Sequence, residues 1–140
     1  MKKRLSLTMA MMMLLTGIFA GALAEGVMPR NSNYFSSYGA SLTDEGGGTV
    51  MIMFTTTGTG LCSQLGVASY SVQRLDDDGN WEDVSGLLTG ETGSNMITYS
   101  FSRYFYGVPG ETYRVNVTFL STLNGSTETK TYTSGQITVQ

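Results

Sequence analysis

The stretch that decides the fold is VPGETYRVNVTF, residues 108–119, which begins as a turn and continues as a strand. Pro109 and Gly110 favour a tight turn, because Pro presets its own φ angle and Gly accepts a left-handed backbone. Apolar residues then follow at every second position, which places them on one face of an extended chain. These residues are Tyr113, Val115, Val117 and Phe119. They form the longest apolar face in the sequence and predict a strand that is buried on one side.

The same two-residue period recurs in short runs along the rest of the chain. These runs are rich in Thr, Val, Tyr and Ile and alternate with clusters of Gly, Asn and Asp, whereas no window of helical length has apolar residues at a 3.6-residue period. We therefore expect an all-β domain with about seven antiparallel strands. The inward residues expected in two of the strands are Val50, Ile52 and Phe54 in the run 49–56, and Ala68, Tyr70 and Val72 in the run 67–75.

Two clusters of turn residues predict β-hairpins. Asn124 and Gly125 are the two-residue signal of a tight hairpin, because both accept a left-handed backbone. The cluster from Asp76 to Asn80 is a second hairpin signal. A calcium loop would need acidic ligands at every second position with Gly at the sixth, and here three Asp residues are adjacent with Gly at the fourth. This spacing favours the hairpin turn and leaves weak adventitious calcium binding as the alternative.

The Pro-Gly-x-x-Tyr-x-Val-x-Val run at residues 109–117 resembles the start of the sixth strand in fibronectin type III and related immunoglobulin-like β-sandwiches. In that family the Tyr hydroxyl folds back onto the preceding turn, the tyrosine corner, and Tyr113 matches that Tyr. The resemblance covers residues 37–140 and implies a seven-stranded sandwich, although Trp81 lies later in the chain than the core Trp of the family. The chain also resembles small exported single-domain proteins of unknown function from Gram-positive gut bacteria, and neither resemblance implies an active site.

The N-terminus has the three parts of a secretory signal peptide, which we place at residues 1–24. Three basic residues at positions 2–4 precede an uncharged, mostly apolar run, and Ala22-Leu23-Ala24 ends it with the small residues that signal peptidase requires. A retained membrane anchor is the alternative, because the apolar run approaches the roughly 20 residues that a spanning helix needs. Cleavage predicts a secreted protein with a flexible polar arm at residues 25–36 and a β-sandwich domain at residues 37–140.

Removal of residues 1–24 leaves 116 residues, which fits one domain. It takes away three of the eight basic residues and none of the eleven acidic ones, so the net charge changes from −3 to −6. A domain with this charge repels phosphate backbones and anionic membrane surfaces. Nucleic acids and membranes are therefore not expected as partners of the mature chain.

The Gly-bounded connection at residues 58–66 carries two features. Leu61 and Leu65 lie four residues apart, and we expect them on a single helical turn that closes one end of the sandwich. Cys62 is the only cysteine in the chain, so no intramolecular disulfide can form. The hydrophobic core therefore has to stabilise the fold without one. Its thiol is either a small buried apolar group or the site of a disulfide with a second chain.

The chain contains no His, which excludes Ser-His-Asp and Cys-His nucleophilic sites and the usual zinc sites. Its carboxylates fall mostly in turns, and a sandwich of this size has little room for the cleft in which a glycosidase holds two of them. The glycine clusters at residues 46–48 and 58–60 lack the Lys-Ser or helix that would hold a phosphate. We therefore expect a protein without enzymatic activity, with no catalytic residues, no cofactor and no metal site.

Two stretches are candidates for binding. Tyr104, Phe105 and Tyr106 are consecutive in what the pattern predicts as a connection, and at least one should be exposed, because consecutive residues of an extended chain cannot all point inward. The alternative is that Tyr104 and Tyr106 close the open end of the core while Phe105 is half-buried. Met51 and Met53 are the second candidate, a soft apolar strip on an outer sheet face, and cover by the N-terminal arm is the alternative there.

These candidates predict a secreted, non-catalytic interaction domain that binds a protein or a glycan at the cell surface. Exposed aromatic faces stack on sugars or pack on partner proteins, so the residue types allow both partners. The alternative is a structural or self-associating module of the cell wall that works by edge-strand pairing and has no discrete ligand.

Overall fold

The computed structural model describes the backbone of residues 26–29 together with residues 32–140. The predicted signal peptide lies outside the described residues. Eleven strands are present in the described part of the chain: β1 (Gly26–Pro29), β2 (Phe35–Gly46), β3 (Thr49–Cys62), β4 (Gln64–Leu75), β5 (Trp81–Asp83), β6 (Leu88–Thr89), β7 (Thr92–Gly93), β8 (Met96–Tyr106), β9 (Thr112–Leu123), β10 (Ser126–Thr133) and β11 (Ile137–Thr138). No helix within it is long and apolar enough to cross a membrane.

The strands form two sheets that pack face to face. The first has the order β1-β2-β3-β8, and the second has the order β10-β9-β4-β5, with β11 beside β9 and with β6 and β7 beside β4. Every pairing in both sheets is antiparallel. The hydrophobic core lies between the sheets and takes side chains from both. The predicted all-β sandwich is confirmed, and the short strands β1, β6, β7 and β11 add to the seven that were expected.

The core is built by the two-residue alternation that the sequence predicts. Val50, Ile52 and Phe54 of β3 are buried, and the apolar row of β9 is buried in the opposite sheet. Phe54 also stacks on Phe101 of the neighbouring strand β8, with 4.7 Å between the ring centroids. Because every second residue of these strands is inward, the residues between them are left for the outer faces.

In β4 the alternation is interrupted. The pairing of β4 with β9 shifts register between Val67 and Ser69, as it does at a β-bulge. Val67 is therefore fully buried and Ala68 is not, so the prediction for Ala68 is wrong. Tyr70 and Val72, on the far side of the shift, are inward as predicted.

The sandwich begins at Phe35, two residues before the predicted boundary. Phe35 is fully buried, and its ring meets that of Tyr38 edge to face, with 5.3 Å between the centroids. Upstream of it, β1 pairs with residues 37–40 of β2 and therefore lies in the plane of the first sheet. Sequence reasoning did not find either feature, because residues 25–36 show no apolar period and contain Pro29.

Tyr113 closes the crossing between the two sheets. The chain leaves the first sheet at the end of β8 and enters the second at the start of β9, through the turn that contains Pro109 and Gly110. The Tyr113 hydroxyl accepts a 2.9 Å hydrogen bond from the backbone N–H of Val108. Its ring packs against Gly107, where an added Cβ would lie only 2.9 Å from the ring. The contact of the Tyr hydroxyl with the preceding turn is therefore present as predicted.

The connection at residues 58–66 contains no helical turn, so that prediction is wrong. Strand β3 continues through Cys62, and β4 begins two residues later. Leu61 is consequently 62% exposed, whereas Leu65 is fully buried. The Cys62 thiol is also fully buried and lies 3.3 Å from the Ser121 hydroxyl, which supports the buried alternative for this cysteine.

Both predicted hairpin turns are present. Asn124 and Gly125 have positive φ angles of 54° and 80°, and β9 and β10 pair on either side of them. In the second turn, the Asp76 carboxylate accepts hydrogen bonds from the N–H groups of Asp78 and Asn80, at 2.9 and 2.8 Å. One oxygen of Asp76 is thus used to hold the turn that joins β4 to β5.

Trp81 lies on the outer face of the second sheet. The Arg114 guanidinium stacks over its ring, with 4.1 Å from Cζ to the ring centroid, and Arg114 also donates a 2.8 Å hydrogen bond to Gln73. Partial burial lowers the pKa of the Arg114 guanidinium. The tryptophan therefore ties β5 to β9 across β4 and takes no part in the core.

We expect Tyr113→Phe to lower the free energy of unfolding by about 0.5–1.5 kcal/mol, because it removes the hydroxyl bond to Val108 and keeps the ring. Denaturant unfolding of the variant and the wild type measures the difference. Tyr104→Phe is the matched control, since the Tyr104 hydroxyl makes no hydrogen bond among the described residues and is exposed. An unchanged denaturation midpoint for Tyr113→Phe would contradict the role assigned to this contact.

We expect the Cys62 thiol to react with a thiol reagent only when the protein unfolds, because its sulfur is fully buried in the core. The measurement is the labelling rate in native buffer compared with the rate in denaturant. Rapid labelling of the native protein, or a dimer band that disappears on reduction, would instead support a disulfide with a second chain.

Candidate functional site

The structure brings the two sequence candidates together on one face of the first sheet. Strands β3 and β8 are neighbours, and in their register Met51 lies opposite Tyr104. Two residues further along the same pair of strands, Thr49 lies opposite Tyr106. We call the surface formed by Met51, Met53, Tyr104 and Tyr106 the Met–Tyr face. Sequence reasoning treated its two halves as separate candidates, because the register between distant strands cannot be read from either strand alone.

The three consecutive aromatics separate by alternation, because they end β8 and are not part of a connection as predicted. Tyr104 and Tyr106 are 58% and 85% exposed. Phe105 points the other way and packs at the margin of the core, with its ring 5.3 Å from that of Tyr113. The alternative in which the two tyrosines close the core is therefore wrong, and only Phe105 has such a role.

The methionines lie between the buried residues of β3 and point to the outer face of the sheet. Met51 is flanked by Thr43 of β2 and Tyr104 of β8. Met53 is flanked by Ser41 of β2 and Ser102 of β8. Both methionine side chains are half-buried, which is the usual state of an apolar side chain in the middle strand of an open sheet face.

No charged side chain occupies an outward position that is paired across these three strands, and Glu45 lies at the end of β2, within the register shift between Asp44 and Gly46. The outward positions are Ser37, Gly39, Ser41 and Thr43 of β2, Thr49, Met51, Met53, Thr55 and Thr57 of β3, and Thr98, Ser100, Ser102, Tyr104 and Tyr106 of β8. The methionines and tyrosines form an apolar centre, and the hydroxyls of Ser and Thr surround it. Such a face can pack against an apolar surface and offer hydrogen bonds at its rim.

Strand β1 does not cover this face. It pairs with the far edge of β2, so it lies in the plane of the sheet, with β2 between it and the methionine strand. The predicted cover of Met51 and Met53 by the N-terminal arm is thus absent for the described residues 26–29. The rest of the arm upstream of residue 32 lies outside the described residues.

The inner side of β8 is held to the second sheet by one carboxylate. Glu91, between β6 and β7, accepts a hydrogen bond from the Tyr99 hydroxyl and pairs with the Arg103 guanidinium at 2.9 Å. Arg103 also lies over the Phe101 ring, with 5.0 Å from Cζ to the centroid. The bond from Tyr99 and the charge of Arg103 lower the pKa of the Glu91 carboxyl below its ordinary value. The cluster therefore fixes the strand that carries both exposed tyrosines.

A shallow crevice of about 220 Å³ opens between the sheets beside Tyr106. Its apolar lining comes from Val72, Val84, Leu88, Phe105 and Tyr113. Arg74 lies at the crevice and pairs with Glu82 at 3.0 Å. Val84 and Leu88 follow β5, and their approach to Phe105 and Tyr113 depends on the packing of the two sheets, so the sequence pattern did not predict this crevice.

The described residues contain no group of three or more His, Cys, Asp or Glu side chains that could hold a metal ion. The side chains of the Met–Tyr face offer apolar packing by sulfur and rings, and hydrogen bonding by hydroxyls. In comparisons with known proteins, no protein-family model matches the chain, and no curated protein matches it.

The Glu91 cluster predicts a specific dependence of stability on pH. Because the pKa of Glu91 is lowered in the folded state, its contribution is fully present above the ordinary glutamate value near 4.5 and is lost as the pH falls through the lower folded pKa. We expect Glu91→Gln to melt below the wild type above pH 4.5, and the gap to close at lower pH. Melting curves across this range are the measurement.

The matched control is Glu45→Gln, which removes an exposed carboxylate that makes no ion pair among the described residues. It should leave the melting temperature nearly unchanged at every pH. A gap between Glu91→Gln and the wild type that is independent of pH would mean that the carboxylate charge is not what stabilises β8.

Proposed function

We propose that the chain is an exported, non-catalytic interaction domain of the fibronectin type III kind, which binds a protein at the cell surface through the Met–Tyr face. Export is inferred from the signal-peptide pattern of residues 1–24. The absence of catalytic activity is inferred from the lack of His and of any motif that would activate a nucleophile.

The observation that carries the proposal is the uncharged outer face of β2, β3 and β8. The mature chain has a net charge of −6, yet none of the paired outward positions of these three strands carries a charged residue. Interface centres are poor in charged residues and rich in aromatics and Met, with a polar rim around them. The Met–Tyr face has this composition, since Tyr104 and Tyr106 are exposed beside two methionines and hydroxyls surround them.

The methionines favour a protein over a glycan as the partner. A sugar ring stacks on a flat aromatic face, whereas a thioether adapts its shape to irregular apolar surfaces such as those of other proteins. Here Met51 lies directly beside Tyr104, so a ligand that covers the tyrosine also contacts the thioether. The crevice next to Tyr106 adds a recess into which an apolar side chain of a protein partner would fit.

Two observations support the fibronectin type III kind of sandwich. The seven main strands divide into a sheet of three (β2, β3 and β8) that faces a sheet of four (β4, β5, β9 and β10), as in a seven-stranded immunoglobulin-like sandwich. The Tyr113 hydroxyl binds the turn before the sixth strand, as the tyrosine corner requires. The resemblance to small exported proteins of Gram-positive gut bacteria is consistent with a role at a bacterial surface.

The test is binding of the purified protein to panels of surface proteins and of glycans, with titration of every positive. We expect saturable binding to a protein and about a thirtyfold or greater loss of affinity for Tyr104→Ala or Met51→Ala, as is typical of central interface residues. The melting temperature of Tyr104→Ala should stay close to that of the wild type, because its side chain is largely exposed.

Two control variants separate the face from the core and from the other sheet. Phe105→Ala removes a half-buried ring and should lower stability by up to about 3 kcal/mol, the lower end of the range for a buried Phe. Thr129→Ala lies on the outer face of the second sheet and should change neither stability nor binding. The proposal would be overturned by saturable binding to glycans alone. It would also be overturned by a protein ligand that binds the Met51 and Tyr104 variants as tightly as the wild type.

A further inference from the structure

The four sheet edges of the sandwich differ greatly in what they offer to an incoming strand. Strand β1 has four residues, and the opposite edge of the second sheet is broken into β5, β6 and β7, of two or three residues each. Short edges of this kind do not support strand pairing. The two long edges in the described part of the chain are β10, with eight residues, and β8, with eleven.

Strand β10 is protected by charge. Its residues Glu128 and Lys130 lie opposite the inward residues Ser121 and Phe119 of β9, so both charged side chains point toward the interior side of the sheet edge. They pair with each other at 3.3 Å. Charged residues that point inward on an edge strand are a known way to prevent edge-to-edge association, because pairing would bury them.

Strand β8 has no such protection along most of its length. Three of the four inward residues between positions 99 and 105 are aromatic: Tyr99, Phe101 and Phe105. The fourth, Arg103, pairs with Glu91 of the facing sheet, whereas Glu128 and Lys130 pair with each other on the edge strand itself. The strand contains no Pro, and its ladder with β3 runs without a register shift from Thr98 to Tyr106.

The hydrogen-bonding phase of the ladder shows which groups face the open edge. Gly107 donates to Gly48 at 2.7 Å, next to the pair formed by Tyr106 and Thr49. Because hydrogen-bonded and non-hydrogen-bonded pairs alternate in an antiparallel ladder, the odd residues of β8 bond to β3 and the even residues point away from it. The outward residues are Thr98, Ser100, Ser102, Tyr104 and Tyr106.

Among the described residues, one partner is recorded for these outward backbone groups. The Ser102 carbonyl accepts a 3.3 Å hydrogen bond from the neighbouring Arg103 side chain. A carbonyl has a second lone pair, so it can still accept a bond from an added strand. The open edge therefore presents five outward N–H groups and five carbonyls in a regular row.

The side chains of β8 in one copy are complementary in size to those of β8 in a second copy. If two β8 strands pair antiparallel about a two-fold axis at Ser102, Tyr104 lies opposite Ser100 and Tyr106 lies opposite Thr98, so each large ring meets a small hydroxyl residue. On the inner side, Tyr99 meets Phe105 and Arg103 meets Phe101, which are an aromatic pair and a cation–ring pair. A shift of the axis to Arg103 would instead place two arginines opposite each other.

We propose that β8 is a self-association edge, at which a second copy of this chain adds its own β8 antiparallel, with the two-fold axis at Ser102. The pairing forms roughly ten inter-strand hydrogen bonds and joins the two four-stranded sheets into one. It is isologous, so it closes as a dimer and does not propagate into a fibre. The dimer presents two Met–Tyr faces on one continuous surface, but its formation does not depend on the function proposed for them.

Sedimentation of the purified protein over a range of concentrations tests the proposal. We expect a monomer–dimer equilibrium for the wild type and for Ser102→Ala, which keeps the backbone N–H. Ser102→Pro removes that outward N–H from both copies without touching a bond to β3, and should weaken the dimer roughly thirtyfold or more. A wild type that stays monomeric at all concentrations, or a dimer that tolerates Ser102→Pro, would overturn the proposal.

A cysteine pair tests the register and remains informative if Ser102→Pro does not fold. In the proposed dimer the two Ser102 Cα atoms lie about 5.5 Å apart, within the span of a disulfide, whereas the two Ser100 Cα atoms lie about 14 Å apart. Under mild oxidation, Ser102→Cys should form a covalent dimer, and Ser100→Cys and the wild type should not. Equal cross-linking of both variants, or none for Ser102→Cys, would show that this pairing does not occur.

Discussion

The chain crosses from one sheet to the other after β8, and the Tyr113 hydroxyl fixes that crossing. Its bond to the Val108 N–H and the packing of its ring on Gly107 hold the turn against the start of β9. With a single cysteine and no internal disulfide, this corner and the apolar rows on either side of it have to keep the two sheets aligned. Because the chain leaves the first sheet at this point, β8 has one neighbour and becomes an edge.

The position of β8 also decides what the outer face of the sheet contains. The register between β3 and β8 places Tyr104 beside Met51, and a slip of one residue would turn the tyrosines inward and Phe105 outward. The inward residues Val50, Phe54 and Phe101 prevent such a slip, since it would bring polar side chains into the core. The exposed face is thus a consequence of how well the inward row packs.

The parts of the fold that depend on neighbours in sequence could be predicted, and the parts that depend on distant pairing could not. Alternation identified the inward rows of β3 and β9, and Asn124-Gly125 identified a hairpin, because each signal is local. The bulge that buries Val67 in place of Ala68 is set by the pairing of β4 with β9. The extension of β3 that exposes Leu61 is set by the pairing of β3 with β8 beyond Thr57. Neither has a sequence signal of its own.

The candidate site shows the same division. The exposure of an aromatic at positions 104–106 follows from alternation, whereas the meeting of these residues with Met51 requires the sheet order. The Glu91 carboxylate lies in the short connection between β6 and β7, and its partners Tyr99 and Arg103 are eight and twelve residues away. A periodic sequence pattern cannot predict these contacts, because they join side chains of the two sheets at the open side of the sandwich.

Strand β8 forms two surfaces from different groups of the same residues. At each even residue the side chain points to the outer face, whereas the backbone N–H and carbonyl point along the sheet to the open edge. Replacement of the Tyr104 ring therefore alters the face and keeps every backbone group of the edge, whereas loss of the N–H at Ser102 alters the edge and keeps the methionines and tyrosines of the face. A second copy paired at the edge would bring two faces onto one surface, and a partner with two matching sites would then bind more tightly than either face alone could bind it.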